Sequence, residues 1–470
     1  MLFSSSIFIF VFLPEVLFVY YILLRKSRPA QNVFLLLASL FFYAWGEPRF
    51  VLIMMLSIFI NWIAGLMVDR VRDDKRKTHI VIFGDVFFNL LILFIFKYLT
   101  FTLTNLKLLG LNSINVPVIE LPIGISFFTF QAMSYVIDVY RKDGAVQKNI
   151  LNVGLYISFF PQLIAGPIVR YRTVAEEINF RKENFDDFST GVFRFIIGLS
   201  KKVLIANNMA IIADYAFSTS GENSVLLAWL GAAAYTFQIY FDFGGYSDMA
   251  IGLGLMFGFH FRENFDYPYI SMSITEFWRR WHISLGSWFR DYLYIPLGGN
   301  RTKSHARHIF NIFMVWLCTG IWHGANWTFI FWGLMYFVLL IFEKYSGYDV
   351  KDEKGKHHFI KHVYTLFFVV NGWVLFRAEN IGKAIEYYKD MYLNMNGIVS
   401  DGFLLYFRQY AWLFAVAAVV STPLIRKAAD RVSNNRAAGL AGAFILAVLF
   451  MVSVSFIVKN SYNPFIYFNF

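Results

Sequence analysis

Charged residues and cysteine are both scarce in this 470-residue chain. Asp, Glu, Lys and Arg make up 16% of it, whereas a soluble domain averages about 25%. The single cysteine, Cys318, excludes an intrachain disulfide and a cysteine-rich metal site; it is either a small packing residue or a nucleophile one turn from His323. Walker A, G-x-G-x-x-G, H-E-x-x-H and G-x-S-x-G motifs are all missing, so the usual nucleotide, zinc-protease and serine-hydrolase signatures are not found.

Apolar residues dominate instead, with 58% hydrophobic and 20% aromatic side chains. Apolar runs recur along the chain from 3–24 to 440–458, and several approach the ~20 residues that span a bilayer. The sequence therefore predicts an all-α polytopic membrane protein, embedded in membrane lipids, with about 10 to 12 transmembrane helices plus re-entrant or interfacial helices. Because no repeat or linker divides the chain, we expect a single integral-membrane domain over residues 1–470.

The formal net charge of +11 is concentrated in short loops between apolar runs. Arg25, Lys26 and Arg28 follow the first run, and the loop 69–79 is also basic. The positive-inside rule places such loops in the cytoplasm, so we expect the N-terminus outside and the first run retained as a span rather than cleaved as a signal. This distribution explains the charge without nucleic-acid binding, and we expect no nucleic-acid partner.

The segment 309–342 contains no Asp, Glu, Lys or Arg, yet it carries His323. A straight helix of this length would reach about 50 Å, against a hydrocarbon core of ~30 Å, so the helix either tilts steeply or breaks near Gly320 and Gly324. A histidine at membrane depth is costly, and it is well suited to proton transfer. The alternative is a structural histidine that hydrogen-bonds a neighbouring helix.

The segment 262–301 is polar and rich in arginine and tryptophan. Ser273 and Glu276 resemble a capping box, which predicts a helix start, and Trp278 begins an apolar face at helical spacing. The sequence predicts one helix from there to about 294–296, with His282 beside that face and an i, i+4 pair between Glu276 and Arg280. This helix is either an interfacial amphipathic helix or part of a functional site.

A third segment, 238–248, places Asp242 and Asp248 on either side of Gly244-Gly245 in an apolar stretch. We expect a re-entrant turn here, with aspartates that cap a helix or pair with arginine. A metal site is the alternative, but no His, Asp or Glu set at ligand spacing surrounds it, and we predict no metal.

Five stretches occur in an order that resembles the membrane-bound O-acyltransferase family, and in particular its bacterial polysaccharide branch, typified by the membrane subunit of alginate O-acetyltransferase. They are LPIGISFFTFQAMSYVIDVYR (121–141), SFFPQLIAGPIVR (158–170), QIYFDFGGYSDMAIGLG (238–254), NFDYPYISMSITEFWRRWHISLGSWFRDYLYIPLGGNR (264–301) and WLCTGIWHGANWTFIFWG (316–333). The motif-bearing core is therefore about 120–340.

The resemblance implies a helical bundle around a central tunnel, lined by His323 in Trp-His-Gly and by His282 in the WRRWH motif. An acyl thioester enters from the cytoplasm and an acceptor hydroxyl meets it from the other side. His323 is then the general base, whereas His282 orients a substrate or hydrogen-bonds the developing oxyanion. The other candidate tunnel-lining, substrate-binding residues are Asn326, which could also orient the imidazole, Trp322, Trp278, Gln238 and Asp242.

We therefore expect a bacterial inner- or plasma-membrane enzyme that moves acetyl toward an exported polysaccharide. The resemblance implies acetyl-CoA as the donor substrate, no bound cofactor, and an extracytoplasmic acetyltransferase partner that hands the acetyl group to the polysaccharide. Two alternatives stay open. One is D-alanyl transfer to teichoic acid from a carrier-protein thioester; the other is a transporter without chemistry, which would predict repeat symmetry.

Overall fold

The computed structural model describes residues 1–302, 304–348, 358–432, 435–459 and 466, and within these ranges it contains helices and turns but no strand. The prediction of an all-α protein is confirmed. In chain order the helices are α1 Phe8–Leu23, α2 Arg28–Ala44, α3 Val51–Arg70, α4 Lys75–Leu108, α5 Ile125–Arg141, α6 Ile150–Ser158, α7 Phe160–Leu163, α8 Tyr171–Phe180, α9 Phe185–Ser218, α10 Val225–Met256, α11 Ile274–Arg280, α12 Ile283–Phe289, α13 His305–His323, α14 Trp327–Ser346, α15 His358–Arg377, α16 Ile381–Tyr392, α17 Asp401–Val420, α18 Leu424–Val432 and α19 Arg436–Lys459.

Seven helices in the described ranges are long and apolar enough to cross a membrane. They are α3, α4, α9, α14, α15, α17 and α19, and the shorter α1 is apolar as well. The chain is therefore a multi-pass membrane protein. Length and composition identify seven candidate spans, fewer than the expected 10 to 12. The count of 10 to 12 transmembrane helices stays a prediction, as do the outside N-terminus and the central tunnel.

The chain forms two compact units that interleave in sequence. The first contains residues 1–195 and 246–262, and the second contains residues 196–245 and 263–470. Their boundaries fall within α9 and α10, so neither unit is a continuous segment. The expectation of one integral-membrane domain over residues 1–470 stays a prediction.

In the first unit, α5 is buried along most of its length. The ring of Tyr135 packs on α3 at Gly65, where an added Cβ would lie 2.6 Å from it. One polar pair in this interior is formed by the side-chain amides of Asn61 and Asn89, which exchange two hydrogen bonds of 3.1 Å. The chain turns between α2 and α3 at 45–50, a stretch that contains Gly46, Glu47 and Pro48.

A charged cluster in the first unit contains His260, just after α10. Its Nδ1 lies 2.8 Å from Glu177 Oε1 and its Nε2 lies 3.1 Å from Asp187 Oδ2. Burial lowers the pKa of His260, but its hydrogen bonds and charge interactions with the two carboxylates outweigh that effect, and the pKa is raised above its usual value. His260 and Glu177 lie outside the seven candidate spans, Asp187 lies in the first turn of α9, and the His260 side chain is exposed.

The expected re-entrant turn at Gly244-Gly245 is wrong, because α10 runs through it without a break. Gly245 instead allows close helix packing: a Cβ there would lie 2.7 Å from the Gly198 carbonyl oxygen of α9. Both aspartates form ion pairs, and the predicted pairing with arginine is found for Asp248 but not for Asp242. Asp242 lies 2.7 Å from the Lys202 ammonium in the interior of the second unit, and Asp248 pairs with arginine in the first.

The core of the second unit is aromatic. It joins residues of α10, α11, α13, α14 and α15, among them Tyr240, Trp281, Trp316, Trp332 and Trp373. Aromatic side chains bury large areas and prefer tilted or edge-to-face pairs, and this geometry recurs here, as between Trp278 and Tyr336 at 4.8 Å. The core contacts His323 through Trp332 and Phe376.

Candidate active site

The long apolar segment 309–342 breaks immediately after His323, which confirms one of the two sequence-based alternatives. α13 ends at His323, Gly324 is extended, and Asn326 caps α14 by accepting a hydrogen bond from the Thr328 N–H at 3.1 Å. The Asn326 side chain satisfies a backbone donor that the helix start would otherwise leave unpaired. His323 therefore lies at the tip of a helical hairpin, and it is buried at 4% exposure.

Two glycines let the arms of this hairpin cross closely. A Cβ on Gly320 would lie 2.5 Å from the Phe329 carbonyl oxygen, and a Cβ on Gly333 would lie 2.5 Å from the Trp316 carbonyl oxygen. Because no side chain fits at either position, the two backbones are in direct contact one turn before His323. The crossing fixes the place of the histidine relative to α14.

Aromatic rings surround His323. The centroids of Trp322, Trp332 and Phe376 each lie 5.0 Å from the imidazole centroid, at interplanar angles of 78–83°. Phe376 comes from α15, so three helices contribute to this enclosure. It excludes water and leaves the imidazole in a weakly polar environment.

The prediction of a continuous helix through His282 is wrong. α11 ends at Arg280, Trp281 is extended, and His282 adopts φ 46° and ψ 52° before α12 begins at Ile283. This left-handed conformation is uncommon for a residue other than glycine. His282 is therefore not beside a helical face but at a break, and the predicted stripe of tryptophans does not form one continuous face.

The start of α11 agrees with the sequence. The Ser273 hydroxyl accepts a hydrogen bond from the Glu276 N–H at 3.0 Å, and Arg280 pairs with Glu276 at 3.0 Å. A second anchor was not predicted: the buried Glu343 carboxylate of α14 accepts hydrogen bonds from the Ile274 and Thr275 N–H groups at 2.6 and 2.8 Å. A charged acceptor at this end also complements the helix dipole.

His282 and His323 both contact the ring of one tryptophan, Trp322. The centroid of Trp322 is 6.0 Å from that of His282 and 5.0 Å from that of His323. Phe243 of α10 lies 4.6 Å from His282 on another side. Burial lowers the pKa of His282, which lies outside the candidate spans, to about 3, so its imidazole is neutral and can act as a proton acceptor.

The other predicted site residues lie in the same unit but differ in their surroundings. The Asn326 amide nitrogen donates to the Glu379 carbonyl oxygen at 2.6 Å, so its hydrogen bonds go to backbone groups. Trp278 contacts Trp332, a neighbour of His323, at 5.4 Å. Gln238 and Asp242 are buried one turn apart on α10, and Asp242 is paired with Lys202. Whether any of them lines a tunnel stays a prediction.

Several residues of the site were missed in the sequence. Phe243, Trp332 and Phe376 enclose the histidines, and Asn264 hydrogen-bonds His282 at 3.2 Å. Asn264 is the first residue of a quoted motif, but nothing local distinguishes it from an ordinary turn asparagine. Within the described ranges, no group of three or more His, Cys, Asp or Glu could hold a metal ion.

Comparison with known proteins agrees with this arrangement. The family model described as "membrane-bound O-acyltransferase family" matches residues 145–377, a range that contains both histidines. A probable alginate O-acetylase of Pseudomonas putida is 40% identical to the chain, and the alignment covers all of both proteins.

Two further relatives carry other names. A peptidoglycan O-acetyltransferase of Helicobacter pylori is 33% identical over the whole chain and 98% of its own length. A teichoic acid D-alanyltransferase of Bacillus subtilis is 32% identical over 55% of this chain and 69% of its own. The chain is an acyltransferase that belongs to the membrane-bound O-acyltransferase family.

Proposed function

We propose that the chain transfers acetyl from a cytoplasmic thioester, acetyl-CoA, across the membrane toward an extracytoplasmic polysaccharide, by way of a partner protein. The observation that carries the chemistry is the pair of buried histidines that both contact the ring of Trp322. The choice of acetyl is supported by the alginate O-acetylase and the peptidoglycan O-acetyltransferase, which match the whole chain, whereas the D-alanyltransferase matches about half of it.

The reaction moves one proton from the acceptor oxygen to the leaving sulfur, in two transfers by way of His323. The acceptor oxygen attacks the thioester carbonyl carbon as its proton passes to the neutral imidazole of His323. The C–O bond forms, the C–S bond breaks, and the thiolate leaves with that proton as a free thiol. A positioned base contributes about 10²–10⁴-fold to such a step, and the aromatic enclosure keeps water from competing as the nucleophile.

The remaining parts of the proposal concern the surroundings of the site. The enzyme lies in the inner or plasma membrane of a bacterium, with its N-terminus outside, as the basic loops indicate. The acceptor hydroxyl belongs to an extracytoplasmic acetyltransferase partner, which then acetylates the polysaccharide. This order suits a chain whose polar stretches are too short to form a polymer-binding domain.

The test measures polymer O-acetylation in cells that carry His323→Ala, with the amount of protein in the membrane measured in parallel. We expect acetyl ester to fall by at least about 100-fold at normal protein level, and His282→Ala to cause a smaller but clear loss. His79→Ala, which changes an exposed histidine of the first unit, is the matched control and should leave acetylation unchanged.

Purified protein separates the alternatives. Labelled acetyl from acetyl-CoA should reach the partner protein, and a carrier-protein D-alanyl thioester should not replace it. D-alanyl transfer would identify the teichoic-acid reaction instead. Full acetylation with His323→Ala would mean that this histidine is structural, and the transporter alternative would then be favoured.

A further inference from the structure

The side chain of Asn264 holds the imidazole of His282 inside the second unit. Asn264 Oδ1 lies 3.2 Å from His282 Nδ1, and both residues are at most 2% exposed. The same oxygen accepts hydrogen bonds from the Ser284 backbone N–H at 3.2 Å and from the Ser284 hydroxyl at 2.9 Å. Three groups therefore converge on one amide oxygen.

The backbone N–H of Ser284 determines which end of the asparagine amide faces the ring. An N–H can only donate, so the atom opposite it must be the carbonyl oxygen rather than the amide nitrogen. His282 Nδ1 faces that same oxygen, which can only accept, and the Ser284 hydroxyl that lies 3.4 Å from Nδ1 gives its own proton to Asn264 Oδ1. The proton therefore lies on Nδ1, and because a neutral imidazole carries one N–H, Nε2 keeps its lone pair.

The backbone supports this arrangement on both sides of His282. The Ile283 N–H donates to the Asn264 carbonyl oxygen at 3.0 Å, and the Asp266 N–H donates to the Arg280 carbonyl oxygen at 3.0 Å. The segment 264–266 is thus hydrogen-bonded to the chain before and after the left-handed residue. Such a conformation is strained in a residue with a side chain and persists only where its surroundings fix it.

We propose that Asn264 is the positioning residue that fixes His282 in the Nδ1–H tautomer, so that Nε2 accepts a hydrogen bond from a substrate O–H or N–H. This deepens the proposed function, on which it rests, because it assigns a direction to the second histidine. Of the two roles that the sequence left open, it favours orientation of a substrate. A neutral His282 in this tautomer offers no Nε2–H to the developing oxyanion.

The direct test is spectroscopic and does not depend on activity. Solid-state NMR of the full chain with ¹⁵N-labelled histidine, compared with His282→Gln, isolates the signals of His282 among the nine histidines. We expect a protonated Nδ1 and an unprotonated Nε2 near neutral pH. An Nε2–H tautomer or a charged ring in the wild-type protein would overturn the proposal.

The kinetic test uses Asn264→Leu, which keeps the side-chain size but removes the acceptor, and Asn264→Asp, which keeps the acceptor. We expect Asn264→Leu to lose Nδ1 protonation and to lower kcat by roughly tenfold or more, because misplacement of a substrate-orienting group can lower the rate by up to about 10²-fold. Asn264→Asp should keep Nδ1 protonated and retain more activity. The control is Asn311→Leu, which changes another buried asparagine of the same unit, about 18 Å along α13 from His323.

The two tests fail in different ways. If the purified protein transfers no acetyl group, the proposed function is wrong, but the NMR measurement still decides the tautomer. If acetyl transfer occurs and Asn264→Leu behaves like Asn311→Leu in both rate and spectrum, Asn264 has only a general structural role and the inference is wrong.

Discussion

Replacing Gly320 by alanine should inactivate the enzyme without removing it from the membrane. The new Cβ would lie 2.5 Å from the Phe329 carbonyl oxygen and 3.5 Å from the Gly333 Cα. A carbon–oxygen contact of this kind normally measures about 3.3–3.6 Å. The arms of the hairpin must therefore separate by about 1 Å at a point one turn from His323.

The expected effect on stability is modest and the expected effect on rate is large. Overpacking costs about 1–3 kcal/mol, while alanine is better than glycine in a helix by about 0.5–1 kcal/mol. The two terms leave a net loss of up to about 2 kcal/mol. A misplacement of about 1 Å in a catalytic group can lower the rate by about 10²-fold, and we expect a loss of this order in kcat.

The assay measures acetyl transfer per amount of folded protein, with thermal unfolding in detergent followed in parallel. Gly333→Ala meets the same crossing from the other arm and should have the same effect. Gly84→Ala is the matched control: it also lies within a long apolar helix, but a Cβ there meets nothing within 4 Å. Its activity should equal that of the wild-type protein.

Three results would argue against this reasoning. If Gly320→Ala keeps wild-type kcat, the close crossing does not position His323. If Gly84→Ala loses activity to the same extent, the assay reports a general response of long helices to substitution. If Gly320→Ala disappears from the membrane, the glycine serves folding, and its effect on the reaction is not separate.

Asp242→Asn should lower the free energy of unfolding by about 3–5 kcal/mol, because it leaves the buried Lys202 ammonium without its carboxylate. Glu386→Gln, which breaks an exposed ion pair, should lower it by at most about 1 kcal/mol. Thermal unfolding of both variants checks the contrast. Glu343→Gln should destabilise the start of α11 by about 1.5–3 kcal/mol, the range for hydrogen bonds to charged groups, and unfolding in denaturant with a parallel activity assay measures it; unchanged stability would mean that this anchor is dispensable. The raised pKa of His260 should stabilise the folded state at pH values below about 6.5, its usual value, and this contribution should fade as pH rises through the folded-state pKa. Thermal shifts of the wild-type protein and His260→Gln should therefore differ on the acid side and converge on the alkaline side, and a constant difference would exclude the linkage.

The sequence predicted features whose signals act over a few residues. Ser273 caps α11 because its hydroxyl reaches an N–H three residues ahead, and the glycine and asparagine after His323 end one helix and begin the next. Long apolar runs require helices in a membrane, where every backbone group must be hydrogen-bonded within the segment. These local rules are enough to identify the class of protein and to place His323 in the interior of a membrane protein.

The tertiary structure decided what depends on residues far apart in the chain. Gly244-Gly245 looks like a turn in isolation, but packing against Gly198 makes it a helix contact. A helical pattern runs through His282, but hydrogen bonds from the segment 264–266 hold it in the left-handed conformation. The enclosure of His323 by Phe376, and the tautomer of His282, follow only once the helices are packed. Sequence periodicity shows which face of a segment is apolar. Which segment covers that face, and the direction of each hydrogen bond there, depend on how all the segments pack together in the interior.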